Sequence, residues 1–426
     1  MIKVFDMRCP PRGFCTALVC LRSIAAAVVD FSRETTAWKI QGEKMEVADI
    51  GAGRQTTVGR RLLSLDVFRG FDMFWLAGGC ELAIAVSALL GAAPGAWVAD
   101  QMRHPAWEGL RFIDMIFPTF IFIAGVSFPF SHARQVEQGC SRAAVTLRIL
   151  KRYLLLFVFG LAYNGFFRNG PANTVWGSVL GRIAVAWAGA ALLYVFFRFR
   201  ARAVIAALLL LVYWALFLFF VAPDHPDAGR FSMEGCIAGW VDRMFVPGKL
   251  TNAGVISSQG LLSNIPAVVN AMFGVFTGEL LRRTDLGGGR KTAVMLVAAA
   301  ASLAAGLLVA FGCGEWSFPC IKKLWSPSYV FFATAYALAV FAVFYWLIDV
   351  KGWWRCTLFF KVIGMNAITV YLGRGLGLED CYRKLFTWFP TLVPASLSPL
   401  VAAVTLTAFL WLILYWLYRR QIFLKV

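Results

Sequence analysis

Apolar runs of about twenty residues, each second one closed by a short basic cluster, constrain this chain more than any other feature. A helix rises about 1.5 Å per residue, so a run of about that length crosses a hydrocarbon core about 30 Å thick. The runs fall at 71–93, 112–131, 152–168, 179–197, 203–222, 263–281, 293–313, 328–348, 359–376 and 398–418. They predict an all-α, polytopic integral membrane protein with about ten transmembrane helices in one bundle. Composition agrees. The chain is 60% hydrophobic and 15% charged, against about 45–50% and about 25% for a soluble domain. A soluble enzyme and a disulfide-rich secreted scaffold are both excluded.

The net charge of +18 would suit a nucleic-acid partner if it were gathered in one basic domain. It is spread instead among the loops. Arg60 and Arg61 precede the first run. Arg134, Arg142, Arg148, Lys151 and Arg152 follow the second, and Arg198, Arg200 and Arg202 the fourth. Arg282, Arg283, Arg290 and Lys291 follow the sixth; Lys351, Arg355 and Lys361 the eighth; Arg419, Arg420 and Lys425 the last. The opposite loops mix signs. Positively charged loops stay cytoplasmic, so both termini are expected there, with no nucleic acid among the partners.

Residues 1–59 read as an N-terminal extension, and 60–426 as the membrane domain. Within the extension, 13–29 is apolar but carries Arg22. It reads as an extra helix, a poor signal sequence, or part of an over-extended start with Met45 as the initiator, the reading we favour. The loop 223–262 is expected to cap an external cleft with short helices, and the loop 376–397 to help line the same side. The ten cysteines show neither CxxC nor Cys/His metal spacing; Cys313 and Cys320 share one external loop and are candidates for a disulfide. No metal site is expected.

Ionisable residues inside spans are costly and therefore informative. Asp66, Arg69 and Asp72 follow one another at intervals of three, near one helix face. They read either as a self-neutralising ladder or as an anion-facing group around Arg69. His104-Pro-Ala-Trp-Glu-Gly109 runs into Asp114. A histidine, with an unperturbed pKa of about 6.5, suits a general base or an acyl-accepting nucleophile, and Asp114 could orient it if the loop folds back. Trp107 reads equally as interfacial anchor or substrate platform. Lys322, Lys323, Trp325, Ser326 and Ser328 lie where the external side enters the eighth run. They suit an anionic or hydroxylated ligand, or an interfacial belt. Asn264, Asn270 and Asn366 could simply join helices by hydrogen bonds.

Several of these blocks occur in a recognisable order: RLLSLDVFRG at 61–70, H-x-x-W-x-G at 104–109, DMIFPTFIFIAGVS at 114–127, VLGRIAV at 179–185, GLLSNIPAVVNAMFGVFTGELL at 260–281, KKLWSPSYV at 322–330, DVKGWW at 349–354 and GMNAITVYLG at 364–373. In these the chain resembles the heparan-α-glucosaminide N-acetyltransferase family of transmembrane acetyltransferases, collinearly from about residue 60 onward. The resemblance implies an acyltransferase that takes acetyl-CoA from the cytoplasmic side and passes the acetyl group to the amino group of a glucosamine-type sugar across the membrane. The family's essential histidine falls on His104, with Asp114 as its orienting partner. Asp66, Arg69, Arg152 and Arg282 are then expected to meet acetyl-CoA, and Trp107, Arg182, Lys322, Trp325, Ser326 and Asn366 to shape the acceptor side. A bacterial inner membrane is the expected setting, and the resemblance suggests a homodimer as a candidate assembly. One departure matters: the lysosomal form has an asparagine just before its glycines, whereas Leu76-Ala77-Gly78-Gly79 has none and Glu81 follows. The alternative from another class is an amino-sugar transporter of the same fold.

The alternation of basic loops generates a direct test. A reporter fused after Val426 should be active only in its cytoplasmic form; activity of a periplasm-specific reporter there would contradict an even number of spans.

Overall fold

The computed structural model describes residues 62–424, apart from 356 and 387. The expectations for the extension 1–59, for Met45 as initiator and for Arg60 and Arg61 lie outside the described residues.

The chain is helical throughout its spans. Among the described residues, eight helices are long and apolar enough to cross a membrane: Leu63–Ser87, Phe112–Glu137, Val179–Phe196, Phe199–Phe219, Asn264–Arg282, Gly288–Gly312, Pro327–Val350 and Ser398–Arg419. The other two expected spans are also helical but differ in kind. Arg142–Tyr163 has 22 residues and carries Arg142, Arg148, Lys151 and Arg152 in its first half. The run at 359–376 is broken into Leu358–Met365, Ala367–Gly373 and a wider turn at Arg374–Leu378. Its break falls at Asn366, whose φ of −118° and ψ of 24° leave the helix.

In chain order, α1 is Leu63–Phe74, α2 Cys80–Ser87, α3 Ala92–Gln101, α4 Phe112–Glu137, α5 Arg142–Tyr163, α6 Phe166–Asn169, α7 Val179–Phe196 and α8 Phe199–Phe219. Then α9 is Ile237–Phe245, α10 Asn264–Arg282, α11 Gly288–Leu307, α12 Pro327–Tyr345, α13 Leu358–Met365, α14 Ala367–Gly373, α15 Glu379–Phe386 and α16 Ser398–Arg419. Two boundaries correct the sequence reading. The first span begins at Leu63, not near 71, so Asp66, Arg69 and Asp72 lie inside a helix. The third begins at Arg142, not near 152, because Ser141 caps it: its hydroxyl accepts from the Ala144 N–H at 3.2 Å.

Helix α4 is the centre of the bundle, with 78% of its most apolar window buried. The windows of Phe199–Phe219 and Gly288–Gly312 are 28% buried and that of Ser398–Arg419 is 22% buried. These three therefore form the periphery, turning Leu211, Val297, Leu308 and Leu412 outward where lipid replaces water. Without a hydrophobic drive between helices in lipid, close backbone approach must supply the packing. It does so at two contacts. A Cβ at Gly125 or Gly274 would fall on the Ala271 or Phe122 carbonyl oxygen, which locks α4 against α10. A Cβ at Gly70 or Gly364 would fall on the Phe360 or Asp66 carbonyl oxygen, which locks α1 against α13.

The loop 223–262 contains a short helix, α9. Helix α9 packs beneath the long loop, where the buried Asp242 accepts from the Ser257 and Leu261 N–H groups at 3.1 and 2.9 Å. Phe217, Phe231 and Phe318 make an aromatic knot under it, with Phe231 and Phe318 4.6 Å apart. Cys313 and Cys320 are both free thiols, which corrects the disulfide expectation: Cys320 instead lends its carbonyl to the Gly109 N–H.

The α1–α13 contact predicts that Gly364→Leu fails to assemble. The added side chain meets backbone that cannot yield. Purified in mild detergent, this variant should run as aggregate or melt far below the parent, at a cost above the about 1–3 kcal/mol of ordinary overpacking. A normal melt would show that the two helices are not in backbone contact.

Candidate active site

Two loops meet over the N-terminal end of α4. One connects α3 to α4 and carries His104; the other precedes α12 and carries Lys322. They are stapled at three points. The Gly109 N–H donates to the Cys320 carbonyl at 2.9 Å, the Lys323 ammonium donates to the Ala106 carbonyl at 2.9 Å, and Lys323 lies 5.7 Å from the Trp107 ring centre. Gly109 turns with φ of 117°, a region that side-chain-bearing residues rarely enter.

This stapling brings His104 to Asp114 across ten residues of chain. The Nδ1 atom of His104 is 2.7 Å from Oδ1 of Asp114. The carboxylate is an acceptor only, so Nδ1 carries the hydrogen, and it is Nε2 that holds the lone pair in the neutral ring. The histidine side chain is 59% exposed and that of Asp114 fully buried. The lone pair is therefore accessible while its orienting partner is not. Lys322 Nζ completes the group, 3.0 Å from the same Oδ1 and 3.3 Å from Nδ1.

Asp114 is itself fixed by its helix. It stands in the first turn of α4, where a carboxylate is favoured by exposed N–H groups, and its Oδ2 accepts from the Arg111 N–H at 3.0 Å. The Tyr329 hydroxyl donates to its backbone carbonyl at 2.6 Å. Burial holds the Lys322 ammonium below the ordinary lysine range, against the opposing pull of Asp114. Burial also pushes the Cys320 thiol up to about 12. It stays protonated at neutral pH and does not compete with His104 as a nucleophile.

Trp325 sits next, fully buried and with φ of 56°, a strained backbone for a bulky residue. Its N–H donates to Asn270 Oδ1 at 2.7 Å, and the Arg182 guanidinium lies 4.6 Å from its ring centre. Arg182 is itself buried and donates to the Ser263 hydroxyl. Arg182 and Trp325 thus form a floor under the two loops.

The other expected site residues fall elsewhere or are already engaged. The Ser326 hydroxyl caps α12, accepting from the Tyr329 N–H at 3.3 Å and the Ile321 N–H at 3.1 Å, and makes its remaining bond to Ser328. The Trp107 N–H donates to the Phe231 carbonyl at 2.7 Å, so it ties its loop to the loop 223–262. Asn366 is buried at the α13–α14 break, bonded to Val362, in the layer against α1 and not in the His104 group. Tyr329, Arg111 and Asn270 hold the site together, and neither Tyr329 nor Arg111 stands out in the sequence; the only signal is that KKLWSPSYV extends to Tyr329.

The basic group lies at the other end. Arg69 is 3.7 Å from Asp66 and donates to Ser127 Oγ at 3.1 Å. Ser127 is thirteen residues beyond Asp114 on α4, about 20 Å along the helix. Arg152 stacks over Trp187 at 4.2 Å, with its Nε buried and unbonded. Arg282 ends α10 and is exposed. Asp72 does not extend the Asp66–Arg69 ladder: it is fully buried with no bond to either oxygen. Among the described residues no cluster of three His, Cys, Asp or Glu side chains could hold a metal ion.

No protein-family model matches the chain. Among curated proteins, it is 27% identical over 432 residues to the heparan-alpha-glucosaminide N-acetyltransferase of Mus musculus, covering 89% of this chain and 62% of the relative. It is 28% identical over 419 residues to the Homo sapiens protein of the same name, covering 86% and 60%. The chain thus spans about three fifths of the length of these relatives, with which it shares a distant kinship.

Asp114→Ala should expose what the pair contributes. It strands Lys322, whose side chain is only 21% exposed, at a cost of about 3 kcal/mol. Adding Lys322→Met should recover part of the lost thermal stability; strict additivity of the two changes in a melting series would mean that they are not coupled.

Proposed function

We propose that this distant relative of the heparan-alpha-glucosaminide N-acetyltransferases is a transmembrane acetyltransferase. It moves the acetyl group of acetyl-CoA to the amino group of a glucosamine-type sugar on the opposite side of a bacterial inner membrane. One observation carries the proposal above the kinship itself: His104 Nδ1 stands 2.7 Å from the buried Asp114, so that an oriented imidazole presents Nε2 outward.

Acetyl-CoA is a polyanion with a long uncharged arm. Arg69 and Arg152, with Arg282 at the end of α10, offer the phosphates positive charge at one pole. The arm would then lie along α4 toward the other pole. There Nε2 of His104 takes the proton of the acceptor nitrogen as that nitrogen attacks the thioester carbon. The C–S bond breaks as the amide forms, and the imidazolium returns its proton to the departing sulfur. Attack by Nε2 itself on the thioester, giving an acetyl-histidine that the amine then opens, uses the same geometry. In both routes Asp114 holds the ring and stabilises its charged form, as the third member of a triad does. Arg182 and Trp325 shape the floor of the acceptor pocket, and Lys322 contributes a donor at its edge.

The test uses inside-out membrane vesicles that contain the full chain, with glucosamine in the lumen and labelled acetyl-CoA outside. The expected product is N-acetylated sugar in the lumen, and His104→Ala should lower its formation by about 10³-fold or more while the protein still inserts and melts as the parent does. Undiminished transfer by His104→Ala would overturn the mechanism. Passage of unmodified glucosamine without acetyl-CoA consumption would identify a transporter instead.

A further inference from the structure

Asp72 is the most anomalous side chain in the bundle. It lies in α1, has no exposed surface, and neither carboxylate oxygen has a hydrogen-bond partner. A carboxylate left so in an apolar interior is costly. The ladder that would have explained it stops at Arg69, one turn below.

Its surroundings are specific. Trp75 is one turn further along the same span, and its indole N–H is likewise buried and unbonded. The Trp75 ring meets Phe112 edge-on at 4.7 Å and Phe71 at 5.9 Å, and Phe112 meets Tyr336 at 6.1 Å. The Tyr336 phenol is within electrostatic reach of Asp72. Phe112 begins the helix whose third residue is Asp114. A vacant acceptor pair and a vacant donor therefore stand among aromatic rings, between the Arg69 pole and the His104 group.

We propose that Asp72 and Trp75 form a recognition site for a primary ammonium that carries a neighbouring hydroxyl, namely the amino group of the acceptor sugar, held there in its charged form before the deprotonated nitrogen reaches His104. The carboxylate takes the cation, the aromatic faces add to its attraction, and the indole N–H donates to the adjacent oxygen. A neutral sugar satisfies only the last of these, so the site selects amino sugars from their hydroxyl counterparts. Trp75 is partly exposed, and binding requires its ring to turn aside from the buried carboxylate. The inference rests on the acceptor class proposed above. It adds the residues that choose it.

Binding can be read without turnover. The full chain in nanodiscs is titrated with glucosamine and with glucose, followed by its melting temperature and by Trp fluorescence. The parent should bind glucosamine more tightly than glucose. Asp72→Asn should weaken glucosamine by about tenfold or more, as expected on removing one member of a buried charge pair, and leave glucose unchanged. Trp75→Phe keeps the ring and removes the N–H, and should weaken both sugars by a similar few-fold factor. It also keeps the proposal testable if Asp72→Asn does not fold. Equal preference for the two sugars in the parent, unchanged glucosamine binding in Asp72→Asn, or loss confined to glucosamine in Trp75→Phe would each overturn the assignment. The acetyltransferase reading fails separately, by absence of acetylated product in parent vesicles.

Discussion

A carboxylate with no exposed surface must collect donors from whatever the chain can bring to it, and Asp114 collects them from three places. The Arg111 N–H comes from the turn just before it, the His104 imidazole from the loop upstream, and Lys322 from a loop more than two hundred residues later. Tyr329 then fixes the backbone carbonyl of the same residue. Removing the carboxylate would leave a buried lysine unpaired and the histidine ring free to turn. The two loops would keep only the Gly109–Cys320 backbone bond and the contacts of Lys323. The geometry of the site thus follows from the need to satisfy one charge placed at the start of the central helix.

The other polar groups are distributed by the same necessity. Arg69 with Ser127, and Arg152 over Trp187, sit about 20 Å from Asp114 along α4, and apolar side chains fill most of the distance. Two polar poles in one apolar bundle suit a reaction whose charged substrate and whose chemistry lie at different depths. Asp72 is the exception between them. It is the single carboxylate among the described residues whose two oxygens are both buried and unbonded. The Trp75 indole N–H beside it is likewise unbonded, whereas His104, Asp114 and Lys322 have all found partners within the fold.

Packing between spans is carried by backbone. At α4–α10 and α1–α13 the helices approach until a Cβ would strike a carbonyl oxygen, and this brings Asp66, Arg69 and Asp72 firmly into the bundle. The break at Asn366 falls in the same layer, beside the α1–α13 contact.

The sequence by itself determined the class of fold. Length and apolarity of a run depend only on local composition, and lipid leaves a helix as the way to satisfy its backbone. It also singled out His104 and Asp114, because a histidine in an apolar chain and an acid at a helix start are visible one residue at a time. The kinship that the same blocks suggested agrees with the relatives found. Helix starts were less legible: charged residues near the starts of Leu63–Phe74 and Arg142–Tyr163 look like loop, and only the cap at Ser141 and the packing against α13 make them helix. What the tertiary structure alone decided was partnership. Lys322 joins His104 because two distant loops share a backbone bond at Gly109, Ser326 is consumed as a cap, Asn366 belongs to another layer, and Asp72 stands apart from the ladder its spacing suggested. Spacing says which residues can share a helix face, but only the neighbouring helices determine what that face meets.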